Sequence, residues 1–269
     1  TTMFSARSTT YGVVNGVYQS INYGVLPVDS AAAKALGAEA LKPEKSTNYS
    51  LGLTWQPSDR LAFTADAYLV NVRDRITLTG TLLGPEVTQA LLDNGIDSTS
   101  GGQYFTNGAD TRTKGLDLVG SYDQDLGSAG TVKWTAAFNW NDTEILDYKQ
   151  SVNILGAPYT LMDRQARNLL TEVQPHTKLI LGGNWRLDRY RVNLGLTRYG
   201  SWREVNAAND RSLDREYKAR WITDLDVGYQ LTKDLELAVG ARNLFDVYPE
   251  RQAPSSKTMV KGYGVYSPY

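Results

Sequence analysis

His176, in Gln-Pro-His-Thr-Lys, is the only imidazole in 269 residues, and the chain has no cysteine. Any Ser–His–Asp triad or histidine metal site would have to use it. Disulfides, thiolate metal sites and cysteine nucleophiles are excluded outright. A lone histidine ahead of a strand reads better as a polar residue where a loop runs into a strand. Asp224 and Asp226 lie two apart, on one face if the segment is a strand. Paired carboxylates can do acid–base work, but with no catalytic partner in view they read better as a polar wall. Tyr199, Trp202, Arg203, Asn206 and Asn209 mix rings, a cation and amides, as a ligand-binding loop would. Solvated loop chemistry explains them as well, so no binding residue is assigned. Asn48-Tyr49-Ser50 and Asn141-Asp142-Thr143 match the glycosylation pattern, and chance accounts for both. No catalytic, metal or cofactor site follows from these residues.

The elements that would position them show period-two alternation. Tyr49, Leu51, Leu53 and Trp55 fall on one parity, with Asn48, Ser50, Gly52 and Thr54 on the other. After a short polar turn, Leu61, Phe63, Ala65, Ala67 and Leu69 oppose Thr64, Asp66 and Tyr68. The same pattern returns at Val132–Trp140, Tyr190–Leu196, Trp221–Leu231 and Leu235–Ala241, and more weakly at Leu179–Trp185 and Gly115–Tyr122. The count is about eight long strands, nine if Gly12 to Tyr23 forms one. Links near 57, 128, 188 and 233 are short turns. The alternate links, near 24–42, 80–102, 146–167, 204–216 and 249–261, are long and polar. In one of them, Pro-Glu-Val-Thr-Gln-Ala-Leu-Leu-Asp-Asn-Gly has helical spacing behind Pro85.

The predicted fold is therefore all-β, an antiparallel meander with short turns at one end and long loops at the other. That is the layout of an outer-membrane barrel; a soluble sandwich or barrel shares the alternation alone. Composition supports the membrane reading. There are 17 Tyr and 6 Trp against 5 Phe, and amphipathic rings suit a membrane–water boundary. Trp55, Tyr122, Trp185, Tyr190 and Tyr229 all lie near a short turn. Asp66, Lys133, Asp224, Asp226, Glu236 and Arg242, on the polar parity, suit a wet interior. The 28 basic and 29 acidic residues nearly cancel, which gives no case for nucleic acid. No run approaches a membrane-spanning helix, and Thr1–Gly12 lacks the pattern of a signal peptide.

Four stretches, in order, resemble the TonB-dependent outer-membrane receptors. They are LKPEKSTNYSLGLTW from Leu41, DAYLVNVRDRI from Asp66, FTNGADTRTKGLDLVGSY from Phe105 and GARNLFDVYPE from Gly240. The resemblance implies a multi-pass barrel of around 22 strands in the bacterial outer membrane, closed by an N-terminal plug. It implies active uptake of a scarce ligand, a ferric siderophore first and haem or cobalamin next, without chemical catalysis. The partners it implies are the TonB–ExbB–ExbD complex, the ligand and outer-membrane lipid. On this reading residues 1–269 are a C-terminal fragment of the barrel, with plug, TonB box and final strand outside the sequence. Two other classes stay open: an outer-membrane enzyme that uses His176, and a soluble carbohydrate-binding β-protein. In GARNLFDVYPE the strand is expected to leave the apolar band after Ala241, with Phe245 and Tyr248 in an interfacial belt.

Overall fold

The alternating segments become one sheet. The computed structural model describes residues 6–14, 17–205, 211, 214–251 and 267–268. In chain order, β1 (Ala6–Val14) and β2 (Val17–Val25) form a hairpin, followed by helix α1 (Ala31–Ala35). Strands β3 (Lys45–Ser58) and β4 (Leu61–Leu78) come next, then β5 (Leu82–Leu83), helix α2 (Pro85–Asp93) and β6 (Gly101–Gln103). Strands β7 (Phe105–Asp125) and β8 (Thr131–Tyr148) precede β9 (Ser151–Ile154), β10 (Ala157–Thr160) and helix α3 (Arg164–Thr171). The chain continues through β11 (Thr177–Leu187), β12 (Tyr190–Tyr199), β13 (Trp202–Glu204) and β14 (Arg215–Tyr217). It closes with β15 (Arg220–Thr232) and β16 (Leu235–Ala241).

Eight of these strands form the main sheet in the order β3-β4-β7-β8-β11-β12-β15-β16, every neighbour antiparallel. The four short turns all fall at one end. Asp188 in the β11–β12 turn takes φ 49°, a conformation that aspartate tolerates better than most residues. At the β7–β8 turn, Gly130 takes φ 88°, and a Cβ there would sit 2.1 Å from the Arg186 carbonyl oxygen. Only glycine fits that close approach.

Register sorts the side chains. Directly opposed residues share a face, so Trp55, Phe63, Gly120, Ala136, Leu181 and Leu196 form one row on the apolar face. Asp66, Asp117, Asn139 and Lys178 form a row on the other. The apolar band steps sideways along the sheet. Leu69 opposes Lys114, Trp140 opposes Thr177, Leu179 opposes Arg198 and Leu196 opposes Thr223. Strand by strand, the last apolar residue meets a polar neighbour, which is the stagger of strands tilted across a membrane layer. Rings mark the turn end of the band: Trp55, Tyr122, Trp134, Trp185 and the Tyr190–Tyr229 pair, whose centroids are 4.9 Å apart. Within the sheet, away from its two edge strands, Trp134 and Leu194 are still 47% and 41% exposed. An apolar face this extensive is not left in water.

The buried core lies elsewhere, among the links at the opposite end. Leu26 and Leu36 come from the β2–β3 link, Leu82, Val87, Leu91 and Tyr104 from the β4–β7 link, and Ile154 and Leu161 from the β8–β11 link. Together they make a cap. Pro85 opens α2 and Val87, Ala90 and Leu91 are its buried stripe, as the spacing predicted. Ser30 and Asp163 cap α1 and α3 by accepting from Ala33 N at 3.1 Å and Ala166 N at 2.8 Å. The Tyr104 hydroxyl donates to the Leu36 carbonyl at 3.0 Å and ties two links together.

Two expectations change. Gly12 to Tyr23 is not a ninth strand of the meander, because it straddles the β1–β2 hairpin, which pairs with β6 and β5 in a separate sheet. The segment expected around Gly115–Tyr122 extends over the whole of β7, since strand pairing continues beyond the apolar band. Most of the 249–261 link lies outside the described residues.

Leu91→Ala should remove about 3 kcal/mol of packing from the cap. The expected readout is faster proteolytic nicking of residues 79–104 in the full-length protein, with protection of the main sheet unchanged. Burial, and after it the charge of Glu39, pushes the Tyr104 hydroxyl up to about 12. A phenol raised in this way favours the folded cap below its unfolded pKa of about 10 and loses that contribution as pH climbs to about 12. Subtracting the 295 nm titration of Tyr104→Phe from that of the wild type should reveal one tyrosine ionising near pH 12. One ionising near 10 would contradict the burial.

Candidate functional site on the polar face of the sheet

The polar parity of β8, β11, β12, β15 and β16 converges on an open groove of about 600 Å³. Lys133, Thr135, Asn184, Asn193, Asp224 and Asp226 line it, with Gly182, Gly195 and Gly240 along its floor. Toward the turns a ladder of polar groups crosses four strands. Arg186 Nε donates to Asn184 Oδ1 at 3.1 Å, and Asn184 donates in turn to Asn193. Asn193 Nδ2 donates to Asp226 Oδ1 at 2.9 Å. Arg191 pairs with Asp226 and, through Nη2, with Glu236 Oε1 at 2.6 Å. One guanidinium thus serves carboxylates from two other strands.

Glycine makes this possible in two places. Gly228 opposes Arg191 in register, and a Cβ on it would meet Glu236 Oε1 at 2.3 Å and Arg191 Nη2 at 2.9 Å. Gly115 opposes Tyr68, whose ring lies within 1.9 Å of where a Cβ would sit. A large polar side chain therefore lies flat across a bare backbone position. The face stays polar and low in relief.

Asp224 and Asp226 share this face, as their spacing predicted, but they do different things. Asp226 anchors the ladder, whereas Asp224 Oδ1 accepts from Asn243 N at 2.8 Å. Asn243 takes φ 50° and folds back on Val247, donating to its carbonyl and accepting from its amide, each at 2.9 Å. Asn-Leu-Phe-Asp is therefore a pinned turn at the end of β16, and it leaves Phe245 and Tyr248 exposed. Arg242 lines the groove just past the last residue of β16.

The other candidates separate. His176 Nδ1 lies 3.3 Å from Asp142 Oδ1 at the start of β11, far along the strand from the ladder. Trp202 is buried and stacked on Tyr217, with ring centroids 4.6 Å apart. Arg203 pairs with Asp214 at 3.3 Å and with Glu172 at 3.8 Å. These two residues hold β13 and β14 to the α3 link. Tyr199 lies on the polar face with Lys178 Nζ 5.0 Å from its ring centroid. Asn206 and Asn209 lie outside the described residues. Asn48 Oδ1 accepts from Ser46, and Asn141 Nδ2 donates to Asn139 on the polar face. Among the described residues no group of three or more His, Cys, Asp or Glu is placed to hold a metal ion. The Arg191–Glu236 link was missed from sequence because its partners are 45 residues apart; the shared polar parity was the available signal.

The family described as "TonB dependent receptor-like, beta-barrel" matches residues 4–244. No curated protein matches the sequence. The FrpB iron transporter from Neisseria meningitidis superposes with a TM-score of 0.54 at 13% identity, over 78% of this chain and 28% of that one. For the pyoverdine receptor FpvA from Pseudomonas aeruginosa PAO1, bound to pyoverdine, the TM-score is 0.53 at 16% identity, over 90% and 29%. The ferric-catecholate import receptor Fiu from Escherichia coli K12 gives 0.51 at 17% identity, over 77% and 24%. The chain thus spans under a third of the length of each. At these identities the likeness is one of fold.

Arg191→Ala should lower the unfolding temperature of the full-length protein in detergent by about 1 °C or less. Arg191→Glu should lower it further, because three carboxylates would then share one patch. Pairing Arg191→Ala with Glu236→Ala should recover part of the loss. Equal unfolding temperatures for all three would show that the ladder carries no stability.

Proposed function

This chain belongs to the TonB-dependent receptor family through its β-barrel domain, and from that premise we propose that it is part of the wall of an outer-membrane importer. The family's members are receptors and transporters, and their barrels reside in the outer membrane. The observation that carries the proposal is the two-faced register of the main sheet. An apolar face edged with rings is built for lipid, while the opposite face keeps a continuous polar lining. No helix among the described residues is long and apolar enough to cross a membrane, so any crossing is made by strands.

The proposed cargo is a ferric siderophore, with haem and cobalamin as the next classes. FrpB is an iron transporter, Fiu imports ferric catecholates and FpvA is bound to pyoverdine, and these support the iron reading. In this scheme the long links and the cap receive the ligand outside the cell. The ligand then passes along the polar face, where amides, hydroxyls and paired charges offer many weak contacts and no deep trap. No bond is made or broken. Energy comes from the inner-membrane proton gradient through the TonB–ExbB–ExbD complex.

The test is a strain deleted for the full-length gene, grown on defined iron and cobalamin sources with uptake of each labelled ligand measured. Loss of uptake of one ferric siderophore, restored by the gene and abolished again without TonB, is the expected result. Unchanged uptake of ferric siderophores, haem and cobalamin alike would overturn the proposal.

A further inference from the structure

Three of the four stretches that carry the family likeness meet at one place, well away from the groove on the polar face. Leu41-Lys-Pro-Glu44 ends the β2–β3 link, Asp74 and Ile76 lie in β4, and Asn107 and Asp110 lie in β7. Asp74 follows Leu69, the last apolar residue of the band in β4, by five residues, which is ~17 Å along a strand. The meeting point stands where the wall ends and the cap begins.

Pairing of β4 with β7 is interrupted there twice, in opposite senses. Val72 opposes Thr111 and Arg75 opposes Ala109, which leaves one extra residue in β4. Ile76 then opposes Asn107, which leaves Gly108 as an extra residue in β7. A bulge bends its strand and raises its twist, so the pair changes direction without losing its partners. Asp74 takes φ 54°, a conformation that costs free energy and persists only where the surroundings hold it.

Side chains from all three stretches hold it. Asn107 Oδ1 accepts from Lys42 N at 2.8 Å, and Asn107 Nδ2 donates to the Lys42 carbonyl at 2.9 Å and to the Asp74 carbonyl at 2.6 Å. A carboxamide, with an acceptor and two donors on one plane, suits that task; a carboxylate lacks the donors. The amides on either side of Arg75 go to carboxylates: Asp74 N donates to Asp110 Oδ1 at 2.9 Å and Ile76 N to Glu44 Oε1 at 2.6 Å. The third link joins them. Lys149 N donates to the Gly108 carbonyl at 2.9 Å, and its Nζ lies 2.8 Å from Glu39 Oε2 in the first link. The links that share the buried core of the cap are therefore tied together a second time, at their roots.

We propose that Glu44, Asn107 and Asp110 are positioning residues, a fastener that sets the angle between the cap and the wall. The shared core makes the cap one body, and the fastener decides where that body sits. On the importer reading, the cap is then a fixed part of the receiving surface and not a hinged lid. The fastener itself stands on strand geometry, whatever the cargo.

The test uses the full-length protein in detergent, spin-labelled at Leu92→Cys in α2 and Ser128→Cys in the β7–β8 turn, with any other cysteine replaced by serine. Both positions are exposed. Double electron–electron resonance should give one narrow distance between cap and wall. Asn107→Ala deletes three bonds and should broaden that distance. It should also speed amide exchange at Asp74 and Ile76 about tenfold, the effect of ~1.4 kcal/mol, while the amides of α2 stay protected. Asn107→Asp keeps the acceptor for Lys42 N, loses both donors and should fall between. Glu44→Gln still accepts from Ile76 N and should keep the narrow distance, whereas Glu44→Ala should broaden it. Leu91→Ala should give the opposite exchange pattern, fast in α2 and slow at Asp74 and Ile76. An unchanged distance in both Asn107→Ala and Glu44→Ala would overturn the fastener. So would exchange in α2 rising as much as at Asp74, or Glu44→Gln behaving as Glu44→Ala. If Asn107→Ala does not fold, Asn107→Asp and Glu44→Ala decide the same comparison.

Discussion

Hydrocarbon offers no hydrogen-bond partner to a peptide group, and that constraint governs the main sheet. Every strand that crosses a bilayer must give its amides and carbonyls to a neighbouring strand. Pairing then locks register, and register decides the side of the sheet on which each residue lies. With all eight strands paired in order, every apolar stripe falls on one face. A slip of a single residue between β8 and β11 would leave Trp134, Phe138 and Trp140 on the apolar face while turning Lys178 and Asn184 onto that same face. The stripe is coherent only in the register observed.

This sheet reverses the usual arrangement of a water-soluble protein. The wall has little interior of its own, and its large apolar residues are exposed. The buried core belongs to the links instead, where Leu36, Leu91, Tyr104 and Ile154 are almost completely shielded. Two driving forces act in two places. Backbone pairing and lipid hold the wall, and burial from water holds the cap. The polar ladder around Arg191 adds cross-strand charge pairing on the face turned away from lipid.

Legibility in the sequence followed the same division. β3, β4 and β8 could be read residue by residue, because one face meets lipid and the other meets water, and that contrast is what writes period two into a chain. The upper half of β7 was missed, since Phe105–Arg112 has left the band and neither parity need be apolar. The hairpin of β1 and β2 was legible as well: Asn15-Gly16 between Val14 and Val17 is a strong two-residue turn signal, and it was passed over. α2 announced itself with Pro85 and its spacing, whereas α1 is too short to show a period and α3, mostly polar, has only Ala166, Leu169 and Leu170 to show one with. Trp202 and Arg203 read equally as ligand-loop or solvated residues, and the fold adds their packing and ion pairing with Tyr217 and Asp214 on another segment. Asn243 was expected just beyond the apolar band, and its backbone angle and its bond to Asp224 show a pinned turn there.

The cap draws its core from three separate links, so none of the three is an independent module. Leu36 touches the cap from one, Leu91 and Tyr104 from a second and Ile154 from a third, and the Tyr104 hydroxyl fastens the second to the first. Swapping one link for that of a relative would strip the other two of their packing partners. A recipient barrel would have to accept all three as a set, so the cap is exchanged as a block rather than loop by loop.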